Sequence, residues 1–449
     1  MARKPIRPAG KTPSVNSANP SATPASTAGT HAGSDIDSLL LAALARNDGS
    51  LQTGRYLATF KTEAVAAGLA EFAAQSLRVA DARDFAGQAM GAAEAGDADV
   101  LVYPEIGVAL IGGEAAAARG LSEMSALASD SPIEVIEPEY FVFADGAADD
   151  YLRGFLRATE TIARDLRGGS ADSQGDHEVD AQVLGATWGL ARCKVPPSLR
   201  SGAGMRVAVL DTGMDLGHPD FAGRIIVSQT FVGQPVQDLH SHGTHCIGTS
   251  CGPKSPAGTT PRYGIAYGAH IFVGKVLSNA GGGSSASVLA GMNWAIANQC
   301  QVISMSLGSQ SPVQAAYTAA GAQALAKGCL IVAAAGNDAA GTGAPANSPT
   351  ILSVASLDST LVPSSFSNFG KVEIAAPGRD VFSSVPRPTR YGTKSGTSMA
   401  TPHVAGCAAL WAQSSPNLRG QALWNMLLAR ARSLPFPAAR VGSGLVQAP

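Results

Sequence analysis

Apolar and polar positions change rhythm several times along the chain. Over residues 1–35 there is no rhythm: Pro, Ser, Thr, Ala and Asn dominate, and no Phe, Trp or Tyr occurs. Such a stretch cannot bury enough surface to offset chain entropy, so a disordered leader is expected, bounded at residue 53. Residues 56–60, Tyr56, Leu57, Ala58, Thr59 and Phe60, then read as a strand. Residues 63–83 read as an alanine-rich helix with apolar spacing near 3.6. A strand-like run at 100–111 is broken at 104–107, a helix follows at 114–127, and the last strand is 133–143. This βαββαβ order predicts a small α+β unit of ferredoxin-like, split type over 54–144. Residues 145–184 are polar and predict a connector with one amphipathic helix at 150–166.

Beyond residue 185 the two periods alternate. Strands are predicted at 206–210, 271–276, 302–306, 330–334 and 351–356, and helices from His242 and at 287–298, 311–327 and 398–413. Alternation of this kind implies an α/β domain over 185–449, a parallel sheet sandwiched by helices. In such a sheet the site is expected at the carboxyl ends of the strands.

Composition narrows the function. Of 449 residues 45% are hydrophobic, enough for a large core. Lys and Arg number 32 against 34 Asp and Glu, a net charge of -2, which gives no global pull toward nucleic acid or an anionic membrane. No apolar run approaches the roughly 18 residues that span a bilayer. Arg3, Lys4, Arg7 and Lys11 are followed by polar residues rather than an apolar segment, so no secretory signal is expected and the cytoplasm is favoured. Six cysteines without CxxC spacing predict free buried thiols rather than a disulfide framework.

Four segments carry candidate chemistry. Val207–Leu210 is an apolar strand that ends on Asp211, Thr212 and Gly213 and so presents a carboxylate at a cleft edge. His240, Ser241, His242, Gly243, Thr244 and His245 offer two readings, one of imidazoles on a metal ion and one of helix-start and core histidines. Gly396, Thr397 and Ser398 place a serine where a loop enters a helix, whose positive end favours negative charge on a nearby oxygen. Ala335, Gly336 and Asn337 place an amide donor just beyond a buried strand, where it could stabilise a tetrahedral oxyanion.

With the runs DTG at 211–213, HGTH at 242–245, AAGN at 334–337 and GTSMATPHVAG at 396–406, the sequence closely resembles the subtilisin-like serine proteases. The form HGTHC leans toward the proteinase K branch. The likeness covers residues 185–445. It implies that Asp211 orients His242, that His242 takes the proton of the nucleophile Ser398, and that Asn337 and the Ser398 amide form an oxyanion hole. It further implies that Gly281, Gly282 and Gly283 on one rim and Ser306, Leu307 and Gly308 on the other pair with an extended peptide. Alignment at Pro345 puts Gly343 at the base of the primary pocket. The implied enzyme is a serine endopeptidase of loose sequence demands, monomeric, with proteins or peptides as substrates. No metal ligands are assigned.

Two departures from the family pattern matter. Asp220 matches an aspartate that ligates calcium in bacterial subtilisins, yet the loop at 252–263 holds Lys254 and Arg262 and no acid, so that site is expected to be absent. Calcium elsewhere stays open. The unit at 54–144 resembles the family's propeptide, a folding chaperone and inhibitor, and this implies an autoinhibited precursor. The long connector leaves the maturation point open. A catalytically silent peptide-binding protein and a metallohydrolase are the two rival readings.

Overall fold

The computed structural model describes residues 31–33, 35–46, 50–91, 94–121, 130–144 and 185–449. The connector at 145–184 with its expected helix, and residues 122–127, lie outside them; the helix expected at 114–127 stops at Ala118, where Gly120 turns left-handed and the Leu121 amide bonds back to the Ala116 carbonyl. Among the described residues no helix is long and apolar enough to cross a membrane.

The first part contains helices α1 (Ile36–Arg46), α2 (Val65–Ala74) and α3 (Gly113–Ala118) and strands β1 (Gln52–Phe60), β2 (Val79–Asp81), β3 (Val100–Tyr103), β4 (Val108–Ile111) and β5 (Ile133–Phe143). The strands lie in the order β2-β3-β4-β1-β5, with β1 antiparallel to both β4 and β5. The expected helix at 63–83 stops at Ala74. Ser76 adopts a left-handed φ of 60°, and the Leu77 amide bonds back to the Phe72 carbonyl, which closes the helix end. The apolar spacing hid this stop because it continues unbroken into β2.

Helix α1 corrects the expected leader, which was drawn through residue 53. Asp35 accepts from the Ser38 amide at 3.0 Å and from its hydroxyl at 2.7 Å, a side-chain cap that opens the helix. Ile36, Leu39 and Leu40 then pack on Phe141 and Phe143. The Pro- and Ser-rich residues before it dominated the composition and masked a short apolar stripe.

The second part adds α4 (Trp188–Arg192), β6 (Arg206–Asp211), β7 (Ile226–Thr230), α5 (His242–Cys251), β8 (His270–Lys275), β9 (Gly282–Ser284), α6 (Ser285–Ala297), β10 (Val302–Met305), α7 (Ala315–Ala326) and β11 (Leu330–Ala334). It continues with β12 (Leu352–Leu357), β13 (Ile374–Pro377), β14 (Val381–Ser384), β15 (Tyr391–Lys394), α8 (Thr397–Ser414) and α9 (Gly420–Arg430). Seven strands form a parallel sheet in the order β13-β12-β11-β10-β6-β8-β7. Successive residues of β6 serve opposite faces, as period two requires. Val207 and Val209 join the core with Ile247 of α5 and Val404 of α8, while Ala208 and Leu210 join the core with Leu289 of α6 and Tyr317 of α7. All six cysteines are free and buried.

The two parts meet through buried charge. Glu139 of β5 is fully buried and accepts from Arg55 Nε at 2.7 Å, Arg55 Nη2 at 3.0 Å, Thr53 Oγ1 at 2.5 Å and the Ala286 amide of α6 at 3.0 Å. Arg55 also donates to Ser284 Oγ at 3.2 Å and to the Ala32 carbonyl at 2.9 Å. Glu137 accepts from the Ala315 and Ala316 amides at the start of α7, at 3.1 and 2.8 Å. Burial would raise the Glu139 pKa, but the Arg55 guanidinium reverses this and holds it below the usual carboxylate value. Its stabilising contribution is therefore complete above the ordinary carboxylate range and is lost as pH falls through the depressed value. Glu139→Ala leaves Arg55 buried without its counter-charge and is expected to lower stability by about 3–5 kcal/mol in denaturant unfolding of the full chain. Arg55→Met combined with Glu139→Leu should recover much of that loss, and unchanged stability of the single variant would refute a contribution from the pair.

Candidate active site

Asp211 closes the apolar strand β6 and is 1% exposed. Its Oδ1 accepts from the Thr212 amide at 2.7 Å and meets His242 Nδ1 at 2.8 Å. His242 is the first residue of α5 and equally buried. Burial pushes the imidazole's pKa down, but the attraction of Asp211 more than offsets this and raises it well above the ordinary histidine value. The pair can accept a proton on the ring and hold the resulting imidazolium.

Ser398 lies in the first turn of α8, where helix amides have no partner four residues back. Pro402, inside this helix, has no N–H to give to the Ser398 carbonyl. That carbonyl instead accepts from Ser306 Oγ at 2.7 Å and from the Cys246 thiol at 3.5 Å. Cys246 Sγ is also 3.9 Å from His242 Nδ1, so the thiol bridges the histidine and serine segments. Asn337 Oδ1 accepts from the Thr397 amide at 2.8 Å and the Thr397 hydroxyl at 3.0 Å. Asn337 lines the same pocket as Ser398.

The cleft between the two glycine-bearing edges holds the chain itself. Phe141, Val142 and Phe143 pair antiparallel with Ser284, Gly283 and Gly282. On the other side the Phe143 amide donates to the Gly308 carbonyl at 2.9 Å and the Gly308 amide returns to Phe143 at 3.0 Å. The Ala144 amide donates to the Gly281 carbonyl at 2.9 Å, and Ser398 Oγ donates to the Ala144 carbonyl at 3.1 Å. Ala144 stands at a pocket lined by Leu307, Gly308, Asn337, Asp338 and Gly343. A Cβ on Gly343 would come within 2.6 Å of the Ser309 carbonyl oxygen, so only glycine fits that wall.

The histidines of the cluster do not converge on one point. His245 points away and bonds the Val381 carbonyl at 2.9 Å, and among the described residues the only convergent ligand-type group is Asp211, His242 and Cys246. His218 and His403 bond the Arg390 and Met399 carbonyls, each at 2.9 Å, as structural residues. Asp220 takes hydroxyl hydrogens from Tyr391, at 3.1 Å, and from Tyr263, while Lys254 and Arg262 stack over Tyr267. Phenolic donors and nearby cations do not fit a hard cation, which needs several oxygen acceptors. The sequence reading missed the hydroxyl of Ser306 as a partner of the Ser398 carbonyl; Pro402, four residues after the serine, was the signal available for it.

The family model described as Subtilase family matches residues 202–444. An alkaline protease of Alkalihalobacillus alcalophilus is 39% identical over 280 residues, 61% of this chain and 71% of that protein. Subtilisin Savinase of Lederbergia lenta is 40% identical over 268 residues, 58% of this chain and 96% of that protein. A crystal structure of a cold adapted subtilisin-like serine proteinase superposes with a TM-score of 0.52 at 34% identity, covering 59% of this chain and 98% of that one.

Cys246 shares a helix face with His242, and burial pushes its thiol pKa up. A mercury reagent attached there should displace the imidazole and abolish activity. Cys246→Ser should restore activity in the presence of the reagent; equal inhibition of both proteins would place the target at another cysteine.

Proposed function

From the chain's membership of the subtilase family, and hence its activity as a serine endopeptidase on proteins or peptides, we propose that Asp211, His242 and Ser398 are its catalytic triad and that residues 54–144 keep the newly made chain inactive. The observation that carries this reading is the Ala144 carbonyl at 3.1 Å from Ser398 Oγ, on a strand bonded to both rims of the cleft.

In this mechanism His242 Nε2 accepts the Ser398 proton as Oγ attacks the substrate carbonyl carbon. Asp211 holds the ring in place through Nδ1 and balances its charge. The oxygen of the tetrahedral intermediate takes hydrogen bonds from the Asn337 side chain and the Ser398 amide, at the positive end of α8. Collapse returns the proton to the leaving amine and leaves an acyl-enzyme, which water then hydrolyses by the same route in reverse. Specificity is loose because Gly281, Gly282, Gly283 and Gly308 offer backbone rather than side chains to the substrate. The pocket walled by Gly343 takes an apolar side chain before the cleaved bond, with Asp338 at its edge.

The bond between Ala144 and Asp145 is the one presented for self-cleavage, and the cleaved unit stays bound as a product-like inhibitor until it dissociates. α1 contributes by covering Phe141 and Phe143.

Intact mass and N-terminal sequencing of the purified protein test this directly: the mature chain should start at Asp145, and Ser398→Ala should accumulate as the uncut 449-residue chain. Self-processing by Ser398→Ala would end the proposal. Asn337→Ala should retain the nucleophile but lower kcat by roughly 100- to 1000-fold, read with a chromogenic peptide; near-native turnover would remove Asn337 from the oxyanion hole.

A further inference from the structure

Asp211 is not the only carboxylate at the foot of the His242 helix. Asp238 is fully buried, and its two oxygens accept five hydrogen bonds. Oδ1 takes Thr212 Oγ1 at 3.0 Å, the His240 amide at 2.9 Å and the Ser241 amide at 2.8 Å. Oδ2 takes the Thr244 amide at 2.9 Å and the Thr244 hydroxyl at 2.7 Å. The carboxylate therefore caps α5 at the end that carries His242, where negative charge is favoured. Ser241, the residue before His242, sits in the left-handed region at φ 79°, a conformation that the bond from its amide to Asp238 helps to hold.

Thr212 joins this cap to the catalytic pair. Its hydroxyl donates to Asp238 and accepts from the Gly243 amide at 2.9 Å, while its own amide donates to Asp211 Oδ1 at 2.7 Å. Lys275, also fully buried, donates to the Thr212 carbonyl and to Asn279 Oδ1 at 2.9 Å. The same Asn279 oxygen accepts from the Leu239 amide at 3.1 Å. The segments 211–212 and 238–244 are thus tied together by two buried carboxylates and one buried ammonium. Burial pushes the Lys275 pKa down to about 8, against the pull of Asp238 and Asp211.

We propose that Asp238 is a positioning residue for His242, acting through Thr212 and the amides at 240, 241 and 244, with Lys275 as its counter-charge. The proposal rests on the reading of His242 as the catalytic base. Asp238 does not touch substrate; it fixes the angle at which α5 delivers the ring to Asp211, and its charge favours the imidazolium across a low-dielectric interior.

The test compares the full chain carrying Asp238→Asn, Thr212→Val, Thr212→Ser or His242→Ala, with active sites counted by fluorophosphonate labelling so that kcat refers to competent enzyme. Asp238→Asn should lower kcat by roughly 10- to 100-fold and change KM little. It should also move the acid limb of kcat/KM to lower pH, because one negative charge that favours the protonated ring is gone. The other groups facing His242 are Asp211, Cys246, His240 with its ring 6.1 Å away, and His245 one turn on; all four are common to the Asp238 and Thr212 variants and the parent. Lys275 titrates on the alkaline side and leaves that limb alone. Thr212→Val, which keeps shape and charge but removes the hydroxyl, should lower kcat, and Thr212→Ser should restore it. The proposal is overturned if Asp238→Asn retains native kcat and acid limb, or if Thr212→Val does not lower kcat. If Asp238→Asn fails to fold, the Thr212 pair decides alone. Activity surviving in His242→Ala would refute the base assignment itself, a result separate from any in the Asp238 and Thr212 series.

Discussion

A carboxylate buried without water must be paired on every side, and Glu139 imposes that requirement on the junction of the two sheets. Its partners come from both: Thr53 and Arg55 from the N-terminal strand, the Ala286 amide from the helix on the cleft's edge. The N-terminal part supplies the counter-charge, and the other part adds the Ala286 amide, so the set of bonds is complete only when the two are docked. The strand that carries Glu139 runs straight on into the cleft, where Phe143 and Ala144 meet Gly308, Gly281 and Ser398.

The helix starts around the cleft share a design with one exception. α5 meets Asp238, α6 meets Glu139 and α7 meets Glu137, so each positive helix end is answered by a full negative charge. Among the described residues, α8 meets the neutral oxygen of Asn337 instead of a carboxylate. Its field is left uncompensated beside Ser398, the place where an attacked carbonyl would gather negative charge.

Much of this was legible in the sequence because it is local. Buried parallel strands read as short apolar runs, which is why β6, β10 and β11 were found almost to the residue, and Asp211, His242, Asn337 and Ser398 each follow such a run or open a helix. What escaped depends on contacts between distant segments. Ser306 and Ser398 are 92 residues apart, and Asp238 and Thr212 are 26 apart, with no shared pattern to betray them. β7 was missed because its half-exposed edge position needs no continuous apolar run, Val227 being 39% exposed. α1 was missed because its apolar stripe is intelligible only once Phe141 and Phe143 exist to receive it.

The continuity of β5 turns the N-terminal unit into a ruler. Glu137 is fastened to the start of α7, and seven residues farther along the same extended run the Ala144 carbonyl stands at Ser398. At about 3.3 Å per residue the span is roughly 23 Å, set by backbone geometry alone. In the proposed self-cleavage, the bond offered to the serine is measured from an anchored carboxylate. Removing one residue from that span would draw the next carbonyl into place and turn Phe141 and Phe143 to the opposite face, away from α1.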